Sequence, residues 1–182
     1  NYHIKTEDID LDLLSTKKPL LENGNGYVDL KPRGTYYYSL SNLKTEGIIR
    51  LNGKYIQVKG KSWMDHQWAD AGYNAAVKWT WFSIQLENNV EIVCFEISYK
   101  NYKNYLATIS YQNNRQESTN TVKFPPMGAG WISPVTKARY PLSWKIQLPS
   151  KGIELEVKPL VKKQEVLFGA INYWEGPLEV SG

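Results

Sequence analysis

The sequence predicts an all-β fold, an antiparallel sandwich or barrel, and three observations carry the β reading. Almost no segment repeats its apolar residues at the helical period. Short β-rich runs recur roughly every ten residues between turn residues, the pattern of an antiparallel sandwich or barrel. An Asn-Gly pair, Asn52-Gly53, also sits between two alternating runs, the favoured sequence of a type I′ hairpin turn.

Taken in order, residues 1–32 are the least regular. They hold Leu11-Asp12-Leu13-Leu14, Lys17-Lys18-Pro19-Leu20-Leu21 and the turn-like Gly24-Asn25-Gly26, and read as the end of a preceding domain or a linker. Residues 33–182 read as the barrel domain. Gly47–Leu51 and Lys54–Val58 flank Asn52-Gly53 as a hairpin. Ala69-Asp70-Ala71-Gly72-Tyr73-Asn74 reads as a long connection. Trp79–Leu86 and Val90–Tyr99 form a second hairpin. If Asn88-Asn89 is a two-residue turn, Glu87 faces Val90, and counting outward sets Trp81 opposite Glu96. Alternation of side chains then gives one apolar face with Phe82, Ile84, Val93 and Phe95. The other carries Trp79, Trp81, Ser83, Gln85, Cys94 and Glu96. That mixed wall suits either a ligand or a half-solvated exterior. Further strands are expected over Tyr105–Tyr111, Thr119–Phe124, Leu142–Leu148, Ile153–Val157, Val166–Ala170 and Asn172–Val180, with a loop at 125–130.

Composition narrows the function classes. The 182 residues suit one ordinary domain, or one and part of another, with ample core. Hydrophobic residues make up 42% and charged residues 22%, the balance of a folded chain. The net charge of +4, from 22 basic and 18 acidic residues, is spread too thinly for a nucleic-acid footprint. A lone cysteine, Cys94, excludes an internal disulfide framework, and two histidines, His3 and His66, argue against a structural zinc site. No metal or cofactor is called for. No apolar run is long enough for a membrane-spanning helix. The chain opens on Asn1 rather than Met and reads as a processed or trimmed piece, so its compartment is unknown from its start.

Several motifs in order carry a family resemblance: Tyr36-Tyr37-Tyr38-Ser39, Gly60-Lys61-Ser62-Trp63-Met64-Asp65-His66-Gln67-Trp68, Trp79-Thr80-Trp81-Phe82, Trp131-Ile132-Ser133-Pro134, Tyr140-Pro141-Leu142-Ser143-Trp144 and Tyr173-Trp174-Glu175-Gly176. This order resembles the lipocalin-like family of carotenoid 1,2-hydratases (hydroxyneurosporene synthases) and their secreted AttH-like relatives, from about Pro19 to Gly182. The resemblance implies two consecutive barrels in a chain about twice this length. This chain would then hold the second barrel and a remnant of the first, with the missing N-terminal domain packed on it. A secreted, periplasmic or membrane-associated setting is implied.

Hydration of a polyene needs a proton delivered to carbon and water captured by the resulting cation. A carboxylic acid buried beside apolar rings does the first, and aromatic faces stabilise the cation. Glu96 fits by its inferred place, and the resemblance puts an acid on that strand, usually aspartate. The alternative is a solvent-facing strand residue. His66 and Trp68 match the family's His-x-Trp motif, with His66 orienting water or sharing the proton; an ordinary hydrogen-bonded core histidine is the competing reading. Asp65 shares the other face of its strand with Trp63 and either serves as the functional acid in place of Glu96 or holds a loop. Trp63, Trp68, Trp79, Trp81, Tyr37, Trp131 and Trp174 are the candidate ligand wall, against a default of ordinary sheet core.

Three functions follow. The first is a cofactor-independent hydro-lyase or cyclase acting on a polyene or isoprenoid. The second is a non-catalytic carrier of such a hydrophobic small molecule. The third is a Trp-lined carbohydrate-binding module, ranked last. A Ser-His-Asp hydrolase lacks its G-x-S-x-G elbow.

Overall fold

The computed structural model describes residues 1–30, 34–69, 77–169 and 171–182. They are strands with two single 3₁₀ turns, and the all-β expectation holds. Among the described residues the strands form open sheets, with no ring of pairings closing a barrel. The chain makes two compact units, one of residues 1–72, 81–94 and 108–118, the other of residues 73–80, 95–107 and 119–182.

The first unit is built on a long hairpin, β5 (Gly34–Leu51) and β6 (Lys54–Trp68). Asn52 and Gly53, both at positive φ (50° and 76°), turn the chain and set Leu51 against Lys54, as the Asn-Gly pair predicts. Both strands run well past the short lengths that the turn spacing suggests. The N-terminal segment is also more regular than its sequence suggests. Its strands β1 (Tyr2–Lys5), β2 (Ile9–Ser15), β3 (Leu20–Leu21) and β4 (Tyr27–Asp29) join the same sheet. β2 lies along Leu43–Ile49, β3 beside Tyr38–Ser39 and β4 beside Gly34–Tyr36.

The β5–β6 pairing shifts between Leu40 and Leu43. A bulge there leaves two residues of β5 outside the ladder, and Ser41 and Asn42 are both buried. Asn42 accepts from the Thr16 amide at 3.0 Å and gives its side-chain NH₂ to Glu91 at 2.7 Å. Gly47 has φ +154°, and a Cβ added there would stand 2.2 Å from the Asp10 carbonyl oxygen. Only glycine lets β2 lie this close. Gly47→Ala is expected to lower stability by about 1–3 kcal/mol, read as a fall in urea midpoint at unchanged m-value.

Strands β7 (Val77–Gln85), β8 (Glu91–Tyr99), β9 (Tyr102–Ser110) and β10 (Gln116–Thr119) pair in the order β10-β9-β8-β7. The closure of β7 on β8 differs from expectation. The Leu86 amide donates to the Val90 carbonyl at 2.9 Å, and Asn89 takes φ +57°. The loop therefore spans Glu87, Asn88 and Asn89, a three-residue turn with its last residue left-handed. Leu86, not Glu87, faces Val90, and counting outward from that pair sets Thr80, not Trp81, across from Glu96. A one-residue slip changes which residues share a face.

The second unit holds a sheet of β11 (Pro126–Met127), β14 (Ser143–Leu148), β15 (Ile153–Pro159) and β18 (Leu178–Ser181) in that order, and hairpins of β12 (Trp131–Ile132) with β13 (Arg139–Tyr140) and β16 (Glu165–Phe168) with β17 (Ile171–Trp174). Ile146, Leu148 and Val157 are fully buried. The strand expected over Thr119–Phe124 reduces to a bridge between Lys123 and Gln147. The one expected over Asn172–Val180 breaks at Glu175-Gly176-Pro177, where proline has no amide to offer a ladder. The connection expected at 69–74 lies outside the described residues from Asp70 onward, as does Ala170.

Candidate functional site

The cross-strand pairs of the β5–β6 hairpin sort its polar and aromatic residues onto two faces. Ser39 lies opposite Asp65 and Tyr37 opposite Gln67, while Tyr38 lies opposite His66 and Tyr36 opposite Trp68. Side chains alternate, so Asp65 and His66 leave the hairpin on opposite sides, as the sequence alternation predicts.

On the first face, one carboxyl gathers its neighbours. Asp65 Oδ1 accepts the Ser39 hydroxyl at 2.5 Å and the Trp63 indole N–H at 2.8 Å. Both partners are donors, so the oxygen they meet acts as an acceptor. Beside it, the Tyr37 hydroxyl receives the Trp81 indole N–H at 2.9 Å. Tyr37 is buried. Burial raises its phenol far above the ordinary range, the charges of Asp65 and Glu22 add to that, and a hydrogen bond to Asp65 completes it against the opposing Trp81 donor. Tyr37 is thus a neutral hydroxyl. Asp65 itself is open to solvent, which leaves the group reachable from outside.

Glu22 completes this face, and the sequence reading missed it. It follows β3 in a 3₁₀ turn over Glu22–Gly24 and is fully buried. Thr108 donates its hydroxyl to Glu22 Oε2 at 2.9 Å, while Oε1 has no hydrogen-bond partner among the described residues. Desolvation dominates and holds this carboxyl well above the glutamate range; the Thr108 bond opposes it and the Asp65 charge adds to it. Folding therefore retains a proton that the unfolded chain releases near the ordinary value of 4.5. The sign follows. Stability is full below that value and declines as pH rises toward the folded-state value, by about 1.4 kcal/mol per pH unit for this one group. Glu22→Gln is expected to remove that component, so that urea midpoints from pH 5 upward fall less steeply in the variant.

On the second face the rings form a row. Tyr27 meets Tyr36 edge-on at 5.5 Å, Tyr36 stacks on Trp68 at 5.4 Å, Trp68 meets His66 at 5.1 Å and His66 stacks on Tyr38 at 5.3 Å. Tyr36 and Trp68 are 51% and 49% exposed. Gly34 makes room for Tyr27, whose hydroxyl and nearest ring atoms would lie 2.2–2.4 Å from a Cβ there.

The other candidates belong to the second unit. Glu96 is ion-paired with Lys103 at 2.9 Å, and that carboxylate raises the lysine above its usual range. The lysine must move before this oxygen meets a substrate. Trp79 lies 5.8 Å from Tyr173, Trp131 stacks on Tyr140 at 6.1 Å, and the Trp174 indole donates to the Lys162 carbonyl at 2.7 Å. Of the sequence-predicted site residues, Tyr37, Trp63, Asp65 and Trp81 therefore share one hydrogen-bonded group, and His66 and Trp68 share the aromatic row. Cys94 is fully buried, and desolvation pushes its thiol far up, so it is no nucleophile. Among the described residues no group of three His, Cys, Asp or Glu is placed to hold a metal ion, and no helix is long and apolar enough to cross a membrane.

The described residues thus define an all-β protein in which hydroxyl and indole donors converge on one carboxyl. The AttH-like family profile matches residues 1–182, and the chain belongs to that family. It is 24% identical over 165 residues to dehydratase asqC of Emericella nidulans, covering 85% of this chain and 47% of that one. It is 25% identical over 169 residues to kievitone hydratase of Fusarium solani subsp. phaseoli, covering 89% and 47%. The chain thus spans about half the length of these curated relatives. Among solved structures, a candidate AttH protein of Nitrosomonas europaea superposes with a TM-score of 0.86 at 26% identity, over 98% of this chain and 58% of that one. Kievitone hydratase of Nectria haematococca superposes at 0.78 and 21%, over 92% and 53%, a likeness of fold. The two curated relatives are, by name, a dehydratase and a hydratase.

Proposed function

We propose that this chain is part of a hydro-lyase that adds water to, or removes it from, an unsaturated small organic molecule. One observation carries the reading: the carboxyl of Asp65, open to solvent, is fixed by Ser39 and Trp63 beside the neutral hydroxyl of Tyr37. Removing water from an alcohol takes a proton from one carbon while the neighbouring C–O bond breaks. Asp65 takes that proton and hands it to the departing oxygen, which leaves as water, while the Tyr37 hydroxyl, donating to Asp65, holds the carboxyl in place. Hydration is the same path reversed. The hydratase and dehydratase names of the distant relatives support this chemistry. A polyene or isoprenoid substrate, as the resemblance to carotenoid 1,2-hydratases implies, is the finer form of the proposal. So are a lipocalin-like barrel, a preceding domain that ends in residues 1–32 and packs on residues 33–182, and Glu96 with His66 as the alternative proton carriers.

The experiment incubates the full-length protein with linear polyenes, isoprenoids and hydroxylated aromatics and follows each by mass. Gain or loss of one water is the expected result. A second reading, a non-catalytic binding protein, draws on the open row of Tyr27, Tyr36, Trp68, His66 and Tyr38, a surface that suits a flat unsaturated ligand. Tight binding of a panel member with no change in mass over the whole panel would replace the hydro-lyase by this carrier.

A further inference from the structure

Glu22 is the one fully buried acid of the first unit without a cation beside it among the described residues, since the other, Glu91, is paired with Lys17. Its position is built rather than incidental. β3 pairs with β5 at Ser39 and Tyr38, and continuing that register by one residue sets Glu22 across from Tyr37. The Gly26 amide closes the turn on the Glu22 carbonyl at 2.7 Å, and Gly26 in turn accepts the Tyr37 amide at 2.8 Å. The Thr108 hydroxyl donates to Glu22 Oε2 and accepts the Asn23 amide at 3.2 Å, which locks the turn to β9. Among the described residues one carboxyl oxygen remains buried and unpartnered, an arrangement that costs stability. The titratable groups that feel Glu22 are Tyr37 on β5, Asp65 on β6 and Cys94 on β8.

We propose that Glu22 is a positioning residue of the Asp65 site, a buried carboxyl that sets the charge and hydrogen bonding of Asp65 through Tyr37. This rests on the reading of Asp65 as the proton-transferring group. Two carboxyls in unlike surroundings divide their roles: the buried one keeps its proton while the accessible one accepts. With Glu22 uncharged, Tyr37 turns its hydroxyl toward Asp65. When Glu22 loses its proton, a second negative charge enters the group, the balance that turns the Tyr37 hydroxyl toward Asp65 changes, and Asp65 is left poorly oriented. Glu22 thus defines an upper pH limit for the site.

The test uses the full-length protein with ¹³C-labelled carboxyl groups, the Asp65 signal being assigned by its loss in Asp65→Asn. In the wild type the Asp65 signal is expected to move a second time on the alkaline side, and Glu22→Gln, which keeps an acceptor for Thr108 but carries no proton to lose, abolishes that step. Thr108→Val removes the donor that favours the charged form, together with the acceptor of the Asn23 amide, and is expected to move the step to higher pH, which keeps the test available if Glu22→Gln folds poorly. In turnover, the alkaline limb of kcat moves upward in Glu22→Gln. An Asp65 signal without a second step, or one unchanged by both variants, overturns the inference, whatever happens to thermal stability. If Asp65→Asn leaves turnover intact, the hydro-lyase reading of Asp65 fails instead, while the titration still decides what Glu22 does to Asp65.

Discussion

Replacing Lys17 by methionine is expected to lower stability by about 3–5 kcal/mol, the cost of leaving a buried carboxylate without its counter-ion. The Lys17 and Glu91 side chains are only 7% and 1% accessible and pair directly. The same ammonium donates to the Asn89 carbonyl at 3.1 Å and the Ser110 carbonyl at 3.2 Å. Glu91 Oε1 takes the Asn42 amide at 2.7 Å, so each charge is wrapped in hydrogen bonds as well as paired. Methionine fills the lysine's stem volume, which makes the loss electrostatic rather than steric. The double variant Lys17→Met/Glu91→Leu removes both charges and is expected to recover most of the loss. Urea unfolding at pH 7 measures all three proteins. A single variant that costs less than about 1 kcal/mol would show that water reaches Glu91 once the lysine is gone.

The second large effect falls on turnover. Asp65→Asn is expected to reduce kcat by about 10²–10⁴-fold, the range for a lost general acid–base group. The asparagine oxygen still accepts Ser39 and Trp63, so the urea midpoint stays close to wild type and the variant still binds substrate. Glu96→Gln is the informative companion. Glu96 carries Lys103 and is expected to cost far less than Asp65. A larger fall in Glu96→Gln than in Asp65→Asn would transfer the proton-carrying role to Glu96.

What the sequence made legible is local. Asn52-Gly53 places a turn because the pair tolerates positive φ at both positions. Period-two alternation separates Asp65 from His66 without any structure. The register of β7 and β8 was not legible in the same way, since Glu87-Asn88-Asn89 is compatible with a two- or a three-residue loop, and the closing Leu86–Val90 bond decides which residues share a face. Nor was the bulge between Leu40 and Leu43, where Ser41-Asn42 reads as two ordinary strand residues. Glu22 shows the limit most plainly. A glutamate ahead of Asn23-Gly24-Asn25-Gly26 reads as a solvated turn. Its burial depends on β3 pairing with β5 and on Thr108, whose hydroxyl reaches it from 86 residues along the chain. The one local signal was the apolar pair Leu20-Leu21 directly before it, with Leu20 fully buried. Asp65 was visible as a candidate, but its partner Ser39 was not, because cross-strand neighbours depend on a register that the sequence does not state.

The central claim, that Asp65 moves a proton while water is added or removed, is tested most directly in heavy-oxygen water. The full-length protein and its Asp65→Asn variant are each incubated with the substrate panel, and products are weighed by mass spectrometry. One labelled oxygen is expected in the wild-type product, formed at least about 10²-fold more slowly by the variant. Equal incorporation by the two proteins would contradict it.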